Sequence, residues 1–243
     1  MFLMVLRGLV KIKLFFYRWS MKVSSIFIAI LKGILAGLAI AFGGFLFILS
    51  TTYIKGEAGK ILGALLFPIG LFLVCTFSLF LFTGKIGLVF EQKQTKEFYI
   101  SLPLMLVGNA IGAVGFGYIL FFIFKDTQIG ERALAVSTSR LGFDNFGNYL
   151  SCFVKSALCG LCVYLAVKAF AFDRLKPVGI ILLFVFIFLF VFAGFEHCIA
   201  NMYYFSMSNS WGLNAFIDLI LCILGNIVGT IPGVLLLKII KKQ

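Results

Sequence analysis

The chain has 243 residues, 62% hydrophobic and 12% charged, with 21 Lys and Arg against 9 Asp and Glu for a formal net charge of +12. A soluble domain carries about 25% charged residues, so too little polar surface remains here to cover a water-soluble ball, and lipid is the natural solvent. In lipid only helices and closed barrels satisfy the backbone, the long apolar runs exclude a barrel of short alternating segments, and the basic residues flank lipid-type segments instead of forming a nucleic-acid footprint.

Residues 1–22 carry Arg7, Lys11, Lys13, Arg18 and Lys22 with no acid, interleaved with Phe15, Phe16, Tyr17 and Trp19. This pattern predicts a cytoplasmic amphipathic segment lying on the membrane surface. It does not read as a cleavable signal peptide, because the basic residues follow the apolar start instead of preceding it. A span needs about 20 apolar residues, and six runs qualify. They are 33–53; 61–84, interrupted by Lys85 and resumed to Phe90; 98–124; 146–172, with Lys155 and Lys168; 177–195, which meets Glu196 and His197 and resumes over 198–207; and 219–237. The connection 125–145 reads as a short surface helix.

Six crossings put both ends on one side. Lys93, Lys96, Arg174, Lys176, Lys238, Lys241 and Lys242 share that side with the N-terminal segment, while the opposite loops mix bases with Glu57, Asp126, Glu131 and Asp144. The excess of Lys and Arg marks the cytoplasm, so both termini are expected inside a cell (inner) membrane. Gly108-Asn109-Ala110-Ile111-Gly112 in the third run matches Gly225-Asn226-Ile227-Val228-Gly229 in the sixth. The second and fifth runs are interrupted in corresponding places, at Thr83-Gly84-Lys85 and at Glu196-His197. The expectation is an all-α integral membrane protein, one domain over 1–243. Its six helices form an inverted 3+3 repeat, aquaporin-like in plan, with the second and fifth helices broken. Paired interruptions in such a repeat point to a transport site.

His197 is the one histidine of the chain and lies beside Glu196 within a membrane run. Ionisable groups there usually face a cavity or a partner. A permeation-path donor and a histidine fixed structurally by Glu196 or a carbonyl are the two readings. A metal site is not expected, since one histidine cannot make one alone. Thr83-Gly84-Lys85 is not a nucleotide-binding loop, because the upstream glycine and the following Ser or Thr are missing. Thr83 either faces a pore from an unwound segment or bonds back to its own helix. The glycines at 33 and 37, 108 and 112, and 225, 229 and 233 recur every four residues, a spacing that lets helices approach closely. Cys159 and Cys162 form a C-x-x-C pair without partners, and the six cysteines read as small apolar packing residues.

The stretch Gly194-Phe195-Glu196-His197-Cys198-Ile199-Ala200-Asn201-Met202 is similar to the G-F-E-H-[SC]-[IV]-A-N-M stretch of the formate–nitrite transporter family. Leu81-Phe82-Thr83-Gly84 resembles that family's L-F-T-G stretch, and the paired G-N-x-x-G motifs fit as well. The resemblance covers nearly the whole chain. It implies a homopentamer with a pore in each protomer and transport of a small monovalent anion such as hydrosulfide, formate or nitrite, with no cofactor. It maps the family's pore histidine onto His197, its loop threonine onto Thr83, and its apolar constrictions onto Phe67, Leu71, Leu81, Phe82 and Phe190. Glu196 and Asn201 accompany the histidine, and Asn109 and Asn226 carry the repeat. Two departures stand out. Phe80 occupies a position where the family often has an acid, and Lys85 one where it often has Asn. Removing a negative charge and adding a positive one tilts the expected substrate towards hydrosulfide. Whether the path is a passive channel or a proton-coupled carrier stays open. A different class of reading is an intramembrane enzyme using His197 and Glu196 as base and orienter, but no nucleophile or metal is grouped with them.

Overall fold

A computed structural model describes residues 26–171 and 176–240. The basic N-terminal segment at 1–22, and Arg174, Lys241 and Lys242, lie outside the described residues. The described residues form helices without strands: α1 (Ile26–Tyr53), α2 (Glu57–Leu66), α3 (Pro68–Thr76), α4 (Phe82–Lys85), α5 (Leu88–Glu91), α6 (Lys96–Phe124), α7 (Gln128–Thr138), α8 (Phe146–Ala171), α9 (Lys176–Phe192), α10 (Cys198–Met207) and α11 (Leu213–Ile240). Five stretches are long and apolar enough to cross a bilayer: Phe27–Tyr53, Glu57–Thr76, Lys96–Phe124, Phe146–Ala171 and Leu213–Ile240. Pro177–Phe192 is a shorter apolar helix.

Two helix pairs form the frame. α1 crosses α6 where Gly37 meets the backbone of Asn109 and Gly112 meets that of Ile34. α8 crosses α11 where Gly160 meets the backbone of Asn226 and Gly229 meets that of Ala157. A Cβ at these positions would strike a main-chain carbonyl, so the close approach requires glycine. In lipid, where apolar side chains gain little from leaving the solvent, such backbone proximity is a main source of helix association. α10 lies inside the frame, and all ten of its residues are buried. α7 covers that core with Ile129, Ala133 and Val136, apolar positions on one helical face.

The helix bounds differ from the sequence expectation in two places that matter. The second helical run does not break at Thr83-Gly84-Lys85. It stops at Thr76, residues 77–81 are non-helical, and Thr83 to Lys85 belong to the one-turn helix α4. The local signal is Ser78, whose φ of 52° lies in the left-handed region that ends many helices. The last run begins at Leu213, not at residue 219. Asp218 is therefore inside a membrane-type helix instead of before it. The connection after residue 124 does form a helix, α7, although half of it is buried.

Candidate functional site

Two non-helical segments, 77–81 and 193–197, lead into α4 and α10, and they are built from the same bonds. The first begins with Phe77 N–H to Leu73 O (3.0 Å), Ser78 N–H to Cys75 O (3.3 Å) and Leu79 N–H to Val74 O (2.9 Å). The second begins with Ala193 N–H to Leu189 O (3.0 Å), Gly194 N–H to Val191 O (3.1 Å) and Phe195 N–H to Phe190 O (2.9 Å). Each turns through a left-handed residue, Ser78 or Gly194 at φ 70°. Bonds of this kind satisfy the carbonyls a helix end would otherwise strand in lipid.

One asparagine then holds each segment. Asn109 is fully buried; its Nδ2 donates to Phe80 O (2.8 Å) and Gly33 O (2.8 Å), and its Oδ1 accepts from Phe82 N–H (2.8 Å). Asn226, equally buried, donates to Glu196 O (2.9 Å) and Ser156 O (2.8 Å) and accepts from Cys198 N–H (3.1 Å). Each amide thus clamps the residues on either side of one position. In the first segment that position is Leu81; in the second it is His197.

His197 caps α10. Its Nδ1 accepts from Ala200 N–H (3.3 Å), and its Nε2 lies 2.9 Å from Thr83 Oγ1. An amide N–H can only donate, so Nδ1 is a bare acceptor, and the ring is neutral with its proton on Nε2. That proton goes to Thr83 Oγ1, which leaves the threonine hydroxyl proton to be donated elsewhere. Of the two readings of Thr83, the structure has the side chain on His197 and not on its own helix. Phe190 stacks on the imidazole with centroids 6.0 Å apart, and Phe67 meets Phe190 edge-on at 5.6 Å. Phe67, Leu71, Leu81, Phe82 and Phe190 are all buried.

A cavity of about 20 Å³ opens beside the ring, lined by Phe67, Phe190, His197, Asn201, Arg140 and Tyr204 among others. That is room for about one water molecule. Leu71, Leu81, Phe82, Thr83 and Glu196 do not line it. Lys85 lies towards the other end of the bundle, 6.0 Å from the centroid of the Phe80 ring, which Lys32 also approaches at 5.1 Å.

Behind the cavity is a buried polar cluster. Arg140 Nε lies 3.0 Å from Glu196 Oε2 and donates to Asn201 Oδ1 (3.2 Å), with the guanidinium 4.8 Å over the Tyr204 ring. Its Nη1 donates to Val136 O (2.5 Å). Asn201 Nδ2 donates to Glu196 Oε2 (3.0 Å) and to Asp218 Oδ2 (2.8 Å). Burial works against the charge of Arg140, and the carboxylates of Glu196 and Asp218 more than offset it, raising the guanidinium pKa. A desolvated, permanently charged cation therefore forms part of the cavity wall. The sequence reading missed Arg140, Tyr204 and Asp218. Arg140 looked like one more loop base. Asp218 had a readable signal, the one acid in the run Leu213–Ile240, hidden by starting that run too late.

The described residues hold no group of three or more His, Cys, Asp or Glu able to bind a metal ion. The six cysteines are free thiols, five of them buried.

The model of a family described as Formate/nitrite transporter matches residues 17–240. The Uncharacterized transporter YrhG of Bacillus subtilis (strain 168) is 32% identical over 189 residues, 72% of this chain and 68% of that protein. The Formate channel FocA of Haemophilus influenzae is 26% identical over 204 residues, 74% of this chain and 66% of that protein. Among solved structures, a "Pentameric formate channel with formate bound" superposes with a TM-score of 0.77 at 25% identity, covering 90% of this chain and 99% of that one. An "FNT family ion channel" shares the fold at a TM-score of 0.72 and 20% identity, covering 84% and 86%.

Proposed function

We propose, from the premise that the chain belongs to the formate/nitrite transporter family, that each protomer of a homopentamer conducts a small monovalent anion past His197. The path is proposed to run through an inverted 3+3 arrangement of six spans whose second and fifth helices are broken at 77–81 and 193–197. The matched bonds of those two segments and their asparagine clamps support that reading. Both termini are proposed to face the cytoplasm.

The observation that carries the function is the Thr83 Oγ1 to His197 Nε2 contact of 2.9 Å, held between two clamped segments amid buried Phe and Leu. A bare anion loses several kcal/mol of hydration among such side chains. The pair offsets part of this by acting as one donor. The imidazole N–H polarises the threonine hydroxyl, and that hydroxyl is then offered to the anion, a bond that strengthens when the acceptor is charged. Leu71, Leu81 and Phe82 on one side, and Phe67 and Phe190 on the other, exclude free water. Arg140 places a cation in the cavity wall, its charge offset by the carboxyl groups behind it. Phe80 and Lys85 favour hydrosulfide among the candidates, since they remove a negative charge and add a positive one near α4. A proton-coupled carrier uses the same parts, with the ring first taking up a proton from solution and the resulting imidazolium passing it to the anion, which returns the ring to its neutral form.

Flux of formate, nitrite and hydrosulfide into liposomes, measured side by side, tests the reading. The expected result is saturable flux of at least one anion, lost in His197→Phe, which keeps bulk and removes the donor. Wild-type flux per assembled protein in His197→Phe, across the pH range, would refute the role of His197. Turnover of a candidate substrate without flux would favour an intramembrane enzyme.

A further inference from the structure

We infer that Asp218 is a positioning residue for this pathway: through Asn201 it shares the counter-charge of Arg140 with Glu196, and the proton it holds or releases sets how strongly the cavity beside His197 retains an anion. The inference rests on the proposed anion path. It starts from a side chain that path does not use, 1% exposed in the second turn of α11.

The geometry gives Asp218 a route to the cavity. Both amide hydrogens of Asn201 are spent on carboxyl oxygens, Glu196 Oε2 at 3.0 Å and Asp218 Oδ2 at 2.8 Å. The amide oxygen is thereby turned to Arg140 Nε at 3.2 Å. Asn201 and Arg140 both line the cavity, and Asp218 does not. Asp218 acts through them, by fixing which way the amide points and by adding its charge to theirs.

The charge count decides the effect. The cluster holds one guanidinium and two carboxyl groups. With one carboxyl protonated it is neutral; with both ionised it carries one net negative charge, next to a space proposed to hold an anion. The elements packed on Asp218 bring Cys152 from α8, whose Sγ lies 3.6 Å from Oδ1, and Cys198 from α10. Glu196 comes from the segment before α10, Arg140 from the turn after α7, and Cys222 from its own helix. The positive charge among these is that of Arg140. An asparagine at 218 would accept from Asn201 equally well, so the carboxyl's distinct contribution is an exchangeable charge. Releasing its proton at higher pH weakens anion retention; holding it at lower pH strengthens retention.

Two readouts on the full chain in liposomes test this. The half-saturating concentration of formate and of nitrite is followed against pH. The carbonyl stretch of a protonated carboxylic acid is followed in pH-difference infrared spectra. In the wild type the half-saturating concentration should rise several-fold as the infrared band disappears. Asp218→Asn should lose the band and lock half-saturation at its low-pH value. Asp218→Leu, which cannot hold Asn201, should raise half-saturation at every pH. His197→Asn should keep the band, which separates the carboxyl from the ring. An Asp218→Asn protein with the band and the pH profile of the wild type would overturn the assignment while leaving the transport reading intact. A wild type that moves none of the tested anions would overturn the transport reading and this role together.

Discussion

Replacing Asn226 with Leu tests the clamp that holds His197. The two side chains are similar in size, so the substitution leaves little void, but it removes three buried hydrogen bonds at 2.8, 2.9 and 3.1 Å. Side-chain hydrogen bonds inside membrane proteins are worth about 0.6 kcal/mol on average and up to about 1.7, so the loss comes to about 2–5 kcal/mol. The orphaned Cys198 N–H and the carbonyls of Glu196 and Ser156 push it to the upper half of that range, because an unsatisfied buried group costs more than a made bond contributes. The effect is also local. Glu196 O and Cys198 N flank His197, so the ring loses its fixed direction towards Thr83 before the helices separate. Unfolding in mild detergent should show the lost stability, amide exchange at 194–198 should speed up, and flux per assembled protein should fall further than stability alone explains. Asn109→Leu should do the same around Leu81. Wild-type exchange at 194–198, with a stability change under about 0.5 kcal/mol, would refute the clamp.

Ser78→Gly should stabilise the protein by about 1 kcal/mol in thermal unfolding, because serine at φ 52° carries a left-handed penalty that glycine lacks. Arg140→Met should cost about 3–5 kcal/mol by leaving Glu196 buried without its partner. Arg140→Met with Glu196→Gln should recover most of that stability but not flux, and a double variant no more stable than Arg140→Met would count against the buried pair. Mass measurement in mild detergent should give about five protomers, a result that a fully active monomer would exclude. A reporter fused after Gln243 should be active only as a cytoplasmic fusion, and an external signal would overturn the proposed topology.

The sequence by itself determined the solvent, the helical class and the family. A chain with 62% hydrophobic residues must satisfy its backbone internally, and the G-F-E-H-C-I-A-N-M and L-F-T-G stretches are specific. It also named both asparagines and the glycine rows, since a fully buried amide and a backbone-to-backbone contact each demand one residue type. The tertiary structure decided what depends on residues far apart in the chain. Thr83 and His197 are 114 positions apart, and their contact forms where the starts of α4 and α10 come together. Arg140 and Glu196 pair across 56 positions through the fold of α7 onto α10. Helix ends were read less well than helix middles. Counting uncharged apolar runs set the break at the polar Thr83-Gly84-Lys85, where the first charge falls. The chain in fact turns at Ser78, where the deciding quantity is one φ angle. The same counting started the last run just after Asp218 and so left that residue outside its helix. Its partners, Asn201 on α10 and Cys152 on α8, come together only when three helices pack, and a local pattern of hydropathy carries no information about that.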